Sequence, residues 1–131
     1  MIILILVSLA AAAQTPEPRW VEVRRTPDSA IHVDSATIRA AGKDALEAWT
    51  RKTYQTPRHY RDADTYDAVV SHLRINCVTL RLLHLETTYY LGTTLVRRSR
   101  SSAASRRWSP RVPGSDWDAV ITATCRMSRD D

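Results

Sequence analysis

The sequence predicts an α+β domain in which a series of β-strands is followed by one C-terminal helix that lies on the sheet and is tied to it by a disulfide. Three observations lead there. Short runs rich in β-forming residues, separated by turn clusters, occupy the chain from Trp20 to Arg100. After a long irregular segment the pattern changes to a helical period near the C-terminus. The only two cysteines, Cys77 and Cys125, fall on the inward face of the clearest strand and on the apolar stripe of that helix. At 131 residues the chain holds one core.

The opening residues are a separate matter. "MIILILVSLAAAA" is apolar from Ile2 to Ala13, too short to span a bilayer, and ends in small residues with Ala11 and Ala13 suited to a signal peptidase. Residues 1–13 read as a signal peptide cut near Gln14, and 14–19 as a polar spacer. No Lys or Arg precedes the apolar run, a departure that a misplaced start codon or an uncleaved anchor would explain. No cysteine stands near the cut to carry a lipid. The expected product is an exported protein, periplasmic, secreted or at the cell surface, with no lipid anchor and, once cut, no transmembrane span. In an oxidising compartment two thiols persist as a disulfide, and closing a loop of 48 residues is worth roughly 4 kcal/mol.

The expected domain, residues 20–127, begins with "WVEVRR" and "AIHVD", two strands joined by "TPDS", in which Pro27 fixes φ and Asp28 and Ser29 can bond the backbone locally. After a turn at Gly42, "ALEAWTRKTY" alternates Leu46, Ala48 and Thr50 with Glu47, Trp49 and Arg51; strand is preferred to helix because "TRKTY" favours strand and no cap precedes it. Gln55 to Asp67 is polar and charged and reads as a loop. "VVSHLRINC" then sets Val69, Ser71, Leu73, Ile75 and Cys77 on one mostly apolar face. "TLRLLHLETTYYL" and "TTLVRRSR" bracket Gly92 as a hairpin, with adjacent Leu82 and Leu83 marking either a bulge or a strand buried on both faces.

"SSAASRRWSPRVPG" has no periodicity and reads as a long loop. Ser115 then stands as an N-cap with Asp118 three residues on, and a helix follows to Arg126, with 128–131 as a polar tail. Trp117, Val120, Ile121 and Cys125 share one stripe, so the face that packs carries the sulfur. Trp20, Trp49 and Trp117 read as core, and Tyr54, Tyr60 and Tyr66 as the more exposed aromatics.

Few residues suggest chemistry. Cys77 and Cys125 lack the CxxC spacing of redox sites. His32, His59, His72 and His84 share no ligand spacing, so no metal is expected. Asp62, Asp64 and Asp67 beside His59 are read as a polar loop, and Ser115 in "PGSDWD" lacks the second glycine of a nucleophile elbow. No catalytic residue and no cofactor are expected, hence no enzyme. The net charge of +5 favours anionic partners, and export removes nucleic acid from among them. The most distinctive stretch, "LVRRSRSSAASRRWSPRV", carries Arg97, Arg98, Arg100, Arg106, Arg107 and Arg111 around Trp108 without an acidic residue. It reads as an anion-binding hairpin and loop, against the plainer alternative of a solvated segment.

Asn76 before Cys77, Tyr89 and Tyr90 before Gly92, Trp108, and Pro113, Gly114 and Ser115 ahead of Cys125 resemble, in that order, the bacterial surface-adhesin protein E family. The resemblance spans Trp20 to Cys125. It implies a single antiparallel β-sheet of about six strands with the C-terminal helix tethered by one disulfide to the concave face. It also implies adhesion to host matrix and serum proteins such as vitronectin and laminin. The expected function is an exported, non-enzymatic binding domain for a protein or an anionic polysaccharide. The alternative is a periplasmic structural or assembly protein, a homodimer included, that pairs its sheet edge.

Overall fold

A computed structural model of the chain describes residues 17–61, 64–102 and 106–129, so residues 1–13, expected to be a signal peptide, and Asp62 lie outside the described residues. One antiparallel sheet is built from β1 (Trp20–Arg25), β2 (Ser29–Asp34), β3 (Arg39–Ala40), β4 (Ala45–Tyr60), β5 (Asp64–Asn76), β6 (Arg81–Leu91) and β7 (Thr94–Arg100). The strand order is β1-β2-β4-β5-β6-β7, and the short β3 pairs with β4 beside β2. Among the described residues one helix, α1 (Asp116–Arg129), follows.

Local chemistry sets the turns. Thr26, rather than Asp28 or Ser29, organises the β1–β2 turn, its hydroxyl accepting from the Asp28 and Ser29 amides at 3.3 and 3.2 Å. Asn76 does the same after β5, accepting from the amides of Val78 and Thr79 at 2.9 Å each. Gly92 turns the β6–β7 hairpin at φ +60°, a conformation that costs glycine nothing. Asp34, 3% exposed, is satisfied by Arg19 N–H, Ala36 N–H and the Thr37 hydroxyl.

Alternation then decides the faces. Ile31 and Val33 of β2, Ala48 and Thr50 of β4, Ser71, Leu73 and Ile75 of β5 and Leu82 of β6 are buried, and the apolar ones meet Val120, Ile121 and Cys125 of α1 in the core. Each fully buried Leu or Ile contributes about 1.5–3 kcal/mol. Cys77 and Cys125 are joined as a disulfide, Cα to Cα 5.8 Å. Ser115 caps α1 by accepting from the Asp118 amide at 3.2 Å, while the Asp118 carboxylate reaches back to the Gly114 amide at 3.0 Å.

Three expectations change, and one open alternative, at Leu82 and Leu83, is resolved. The segment from Gln55 to Asp67 is mostly strand: β4 runs to Tyr60 and β5 starts at Asp64, with an irregularity between Thr53 and Arg58 where Pro57 has no N–H to give the ladder. In β6 the bulge falls between the pairs His72↔Glu86 and Leu73↔His84, leaving Leu85 over, and Leu82 and Leu83 are both buried. The helix continues to Arg129, its last turn carrying Arg126 and Arg129 where cations suit the helix dipole. Trp20 and Trp49 are half-buried outside the core: Trp20 packs on Arg51, and Trp49 stacks on His72 at 4.4 Å.

Candidate binding surface

The helix covers only part of its face of the sheet. It begins at Asp116, beside Lys52, and Trp117 of its first turn closes edge-on against His84 at 4.9 Å. Beyond that point the same face is open. Thr50, Lys52 and Tyr54 of β4, Tyr66, Val69 and Ser71 of β5 and His84, Thr87 and Tyr89 of β6 line a cavity of about 300 Å³ with Asp116 and Trp117.

Tyrosines dominate the open half. Tyr66 lies at its centre, 4.9 Å from Tyr89 and 5.9 Å from Tyr54, both edge-on, and Tyr60 packs on Tyr89 at 5.3 Å. The irregularity in β4 delivers Tyr54 to this group, and it is tied down by the Gln55 amide donating to Asp28 O at 2.9 Å. Burial raises the pKa of Tyr66 and of Tyr89, so both phenols stay protonated and can donate. Cations ring the cluster: Lys52 and Arg58 lie 5.1 and 4.9 Å from the Tyr54 ring, and Arg97 and Arg61 lie 4.3 and 5.5 Å from Tyr60. Burial opposes the charge of Lys52, but the bond to Asp116 and the neighbouring groups outweigh it and its pKa is raised. Asp64 lies 3.7 Å from Arg97; among the described residues Arg58 and Arg61 have no acidic partner.

The arginines singled out in the sequence divide among several places. Arg97 joins the tyrosine cluster. Arg98 and Arg100, two residues apart and so on one face of β7, sit with Glu86 at 3.0 and 3.5 Å. Arg111 bonds Asp118 at the start of α1 and thereby lowers the carboxyl pKa, helped by the Gly114 amide. Arg106 and Arg107 are exposed, and Trp108 is 39% exposed on a segment whose Ser109 bridges to Leu82. Residues 103–105 lie outside the described residues.

The remaining polar candidates are dispersed. His72 lies 3.5 Å from Glu47 on the face away from the helix, His59 bonds Thr65, His32 lies 4.0 Å from Glu22, and Asp67 accepts from the Gly92 amide at 2.9 Å. Among the described residues no group of three or more His, Cys, Asp or Glu is placed to hold a metal ion. Sequence reading missed Arg58, Arg61, Tyr54, Tyr66 and Tyr89 as one surface. The signal was the density of Tyr and Arg between Tyr54 and Tyr66, visible once that segment is taken as two paired strands.

A sheet covered on one face by a single helix, with an open tyrosine and arginine surface beside it, defines a binding module. The chain belongs to the surface-adhesin protein E family, whose sequence model matches residues 20–126. Its fold is that of Haemophilus influenzae protein E. Crystal form II of that protein superimposes with a TM-score of 0.60 at 13% identity, covering 92% of this chain and 96% of that one. Its selenomethionine form gives 0.58 at 12%, covering 90% and 93%. No curated protein matches the sequence. Membership makes this an adhesin-type domain and places it among exported or cell-surface proteins. No helix among the described residues is long and apolar enough to cross a membrane.

Proposed function

We propose that the protein is an exported adhesin that grips an acidic stretch of a host surface or matrix protein across the open half of its helix-bearing face. The observation that carries this is the cluster of Tyr54, Tyr60, Tyr66 and Tyr89 ringed by Arg58, Arg61 and Arg97. Tyrosine and arginine are the residues that anchor protein interfaces, because they present large, stiff, amphipathic area. Arg58 and Arg61, lacking acidic partners among the described residues, supply the attraction for carboxylates. Arg106 and Arg107 with Trp108 offer a secondary, more exposed contact, whereas Arg98 and Arg100 are answered by Glu86 on the other face and Arg111 by Asp118. The apolar run from Ile2 to Ala13, read as a signal peptide, supports export of the module.

Vitronectin and laminin, the partners that the family resemblance suggests, are the proteins to test in solid-phase binding. Arg58→Ala combined with Arg97→Ala should weaken binding at least about tenfold. Arg106→Ala with Arg107→Ala and Arg111→Ala should weaken it less, and rising salt should weaken it steeply. Absence of binding, or binding indifferent to both sets, contradicts the reading.

The outer edge of β7 has no further strand beyond it among the described residues, which favours a second reading, an assembly factor that pairs this edge with another chain. Arg97, Arg98 and Arg100 along the edge oppose pairing with a second copy. A dimer in sedimentation that ignores salt would support it.

A further inference from the structure

The face turned away from α1 carries many charges, and nearly all are answered. Glu47, 8% exposed, accepts from Arg39 at 2.7 and 3.0 Å and from Arg74 at 3.0 Å. Glu86 answers Arg98 and Arg100. Arg51, in the middle of β4, is different. Its guanidinium carbon lies 5.0 Å from the centroid of the Trp20 ring, and among the described residues it has no ion pair and no hydrogen bond. Its Nε is buried without a partner. A guanidinium shielded from water on one side by an indole and offered no anion is electrostatically incomplete, since every buried donor left unmet costs about 1–3 kcal/mol.

Arg51 also lines a cavity. Together with Trp20, Thr53, Asp67, Tyr90 and Thr93 it borders an open depression of about 520 Å³, within the range of small-molecule sites. The lining is unusual for a mere groove between side chains. Three large aromatics, Trp20, Tyr54 and Tyr90, supply apolar surface, two threonines and two phenols supply hydroxyls, and one arginine supplies positive charge. Asp67 does not neutralise Arg51. One of its oxygens is engaged by the Gly92 amide at 2.9 Å, which holds the carboxylate in place and leaves the other to accept from a ligand.

We propose that this depression is a binding site for an acidic sugar, a pyranose bearing a carboxylate. The carbon-bound hydrogens of the ring pack on Trp20 and Tyr90, the carboxylate pairs with the terminal nitrogens of the Arg51 guanidinium, and the ring hydroxyls meet Asp67, Thr53 and Thr93. The site lies on the face opposite Tyr60, Tyr66 and Tyr89 and shares no cation with that cluster, while Tyr54 borders both cavities. Its charged contact, Arg51, is therefore distinct from the cations of the protein-binding surface proposed above.

Saturation-transfer NMR on the natively isolated, disulfide-bonded protein tests this with sodium glucuronate, glucose and sodium acetate at millimolar concentration. Transfer to glucuronate is expected, with glucose and acetate each at least about tenfold weaker. Arg51→Gln should reduce glucuronate binding at least about tenfold with circular dichroism unchanged, and Tyr90→Ala gives the same readout should the first variant not fold. Arg58→Ala with Arg97→Ala should leave it unchanged. No transfer to glucuronate, acetate binding as well as glucuronate, or full binding by Arg51→Gln and Tyr90→Ala overturns the proposal.

Discussion

Lys52 in the middle of β4 and Asp116 at the first position of α1 form an ion pair at 2.5 Å, and the second oxygen of Asp116 lies 3.3 Å from Nε of Arg24 on β1. The carboxylate thus joins two strands to the positive end of the helix and fixes where the helix stops covering the sheet. Each pair is partly exposed and worth little alone, but the helix-end charge adds to both. Asp116→Asn should cost about 1 kcal/mol, lowering Tm by about 3–6 °C, and the loss should shrink in about 1 M salt. Thermal unfolding at two salt concentrations measures it.

The disulfide bears more. Cys77→Ser with Cys125→Ser removes the covalent tie between the end of β5 and the buried stripe of α1. Stability to denaturant should fall by about 2–4 kcal/mol, while the sheet's strand signal survives better than the helical one. Circular dichroism during a urea titration reads both.

Acid should destabilise the fold in two windows. Glu47 is held at a pKa of about 2, against an ordinary 4.5, by hydrogen bonds from Arg39 and then Arg74. Its stabilising contribution is complete above 4.5 and is lost as pH falls toward 2, about 2 kcal/mol in all, discounted because Arg39 is exposed. Burial lowers the pKa of His84 and, with Glu47 opposing, of His72 below the usual 6.5. The fold therefore prefers neutral imidazoles, and this contribution is complete above 6.5 and declines as pH drops through the folded values. Urea midpoints of wild type and Glu47→Gln between pH 7 and pH 2 should converge at the acid end.

Much of this architecture was legible because burial follows parity. The alternation of Val69, Ser71, Leu73 and Ile75 predicts the strand and its inward face, and Trp117, Val120, Ile121 and Cys125 at helical spacing predict both the helix and its tie. Trp49 shows the limit of reading residue type over position: it shares parity with Glu47 and Arg51, and it lies with them away from the helix, stacked on His72. The β4–β5 extension escaped because charge and Pro57 resemble loop chemistry, whereas the pairing that rescues it is non-local, Arg58 to Tyr66 and Tyr60 to Asp64. The arginine run reads as one patch in sequence, yet strand alternation sends Arg97 and Arg98 to opposite faces and Asp118 takes Arg111.

Tyr89 touches both Tyr66 and Tyr60, so it holds the aromatic surface together. Tyr89→Ala should cost about 1–3 kcal/mol of stability and scatter its neighbours, whereas Tyr89→Phe keeps the packing and removes only the hydroxyl. Near-ultraviolet circular dichroism distinguishes them: a weakened tyrosine signal for the first and a nearly unchanged one for the second.

The most direct measurement is an NMR titration of the folded domain with an acidic peptide, following the aromatic resonances. Shifts centred on Tyr54, Tyr60, Tyr66 and Tyr89 are expected, and they should vanish in the Arg58→Ala, Arg97→Ala variant. Shifts confined to Trp108 and its flanking arginines, or none at all, would contradict the proposed binding surface.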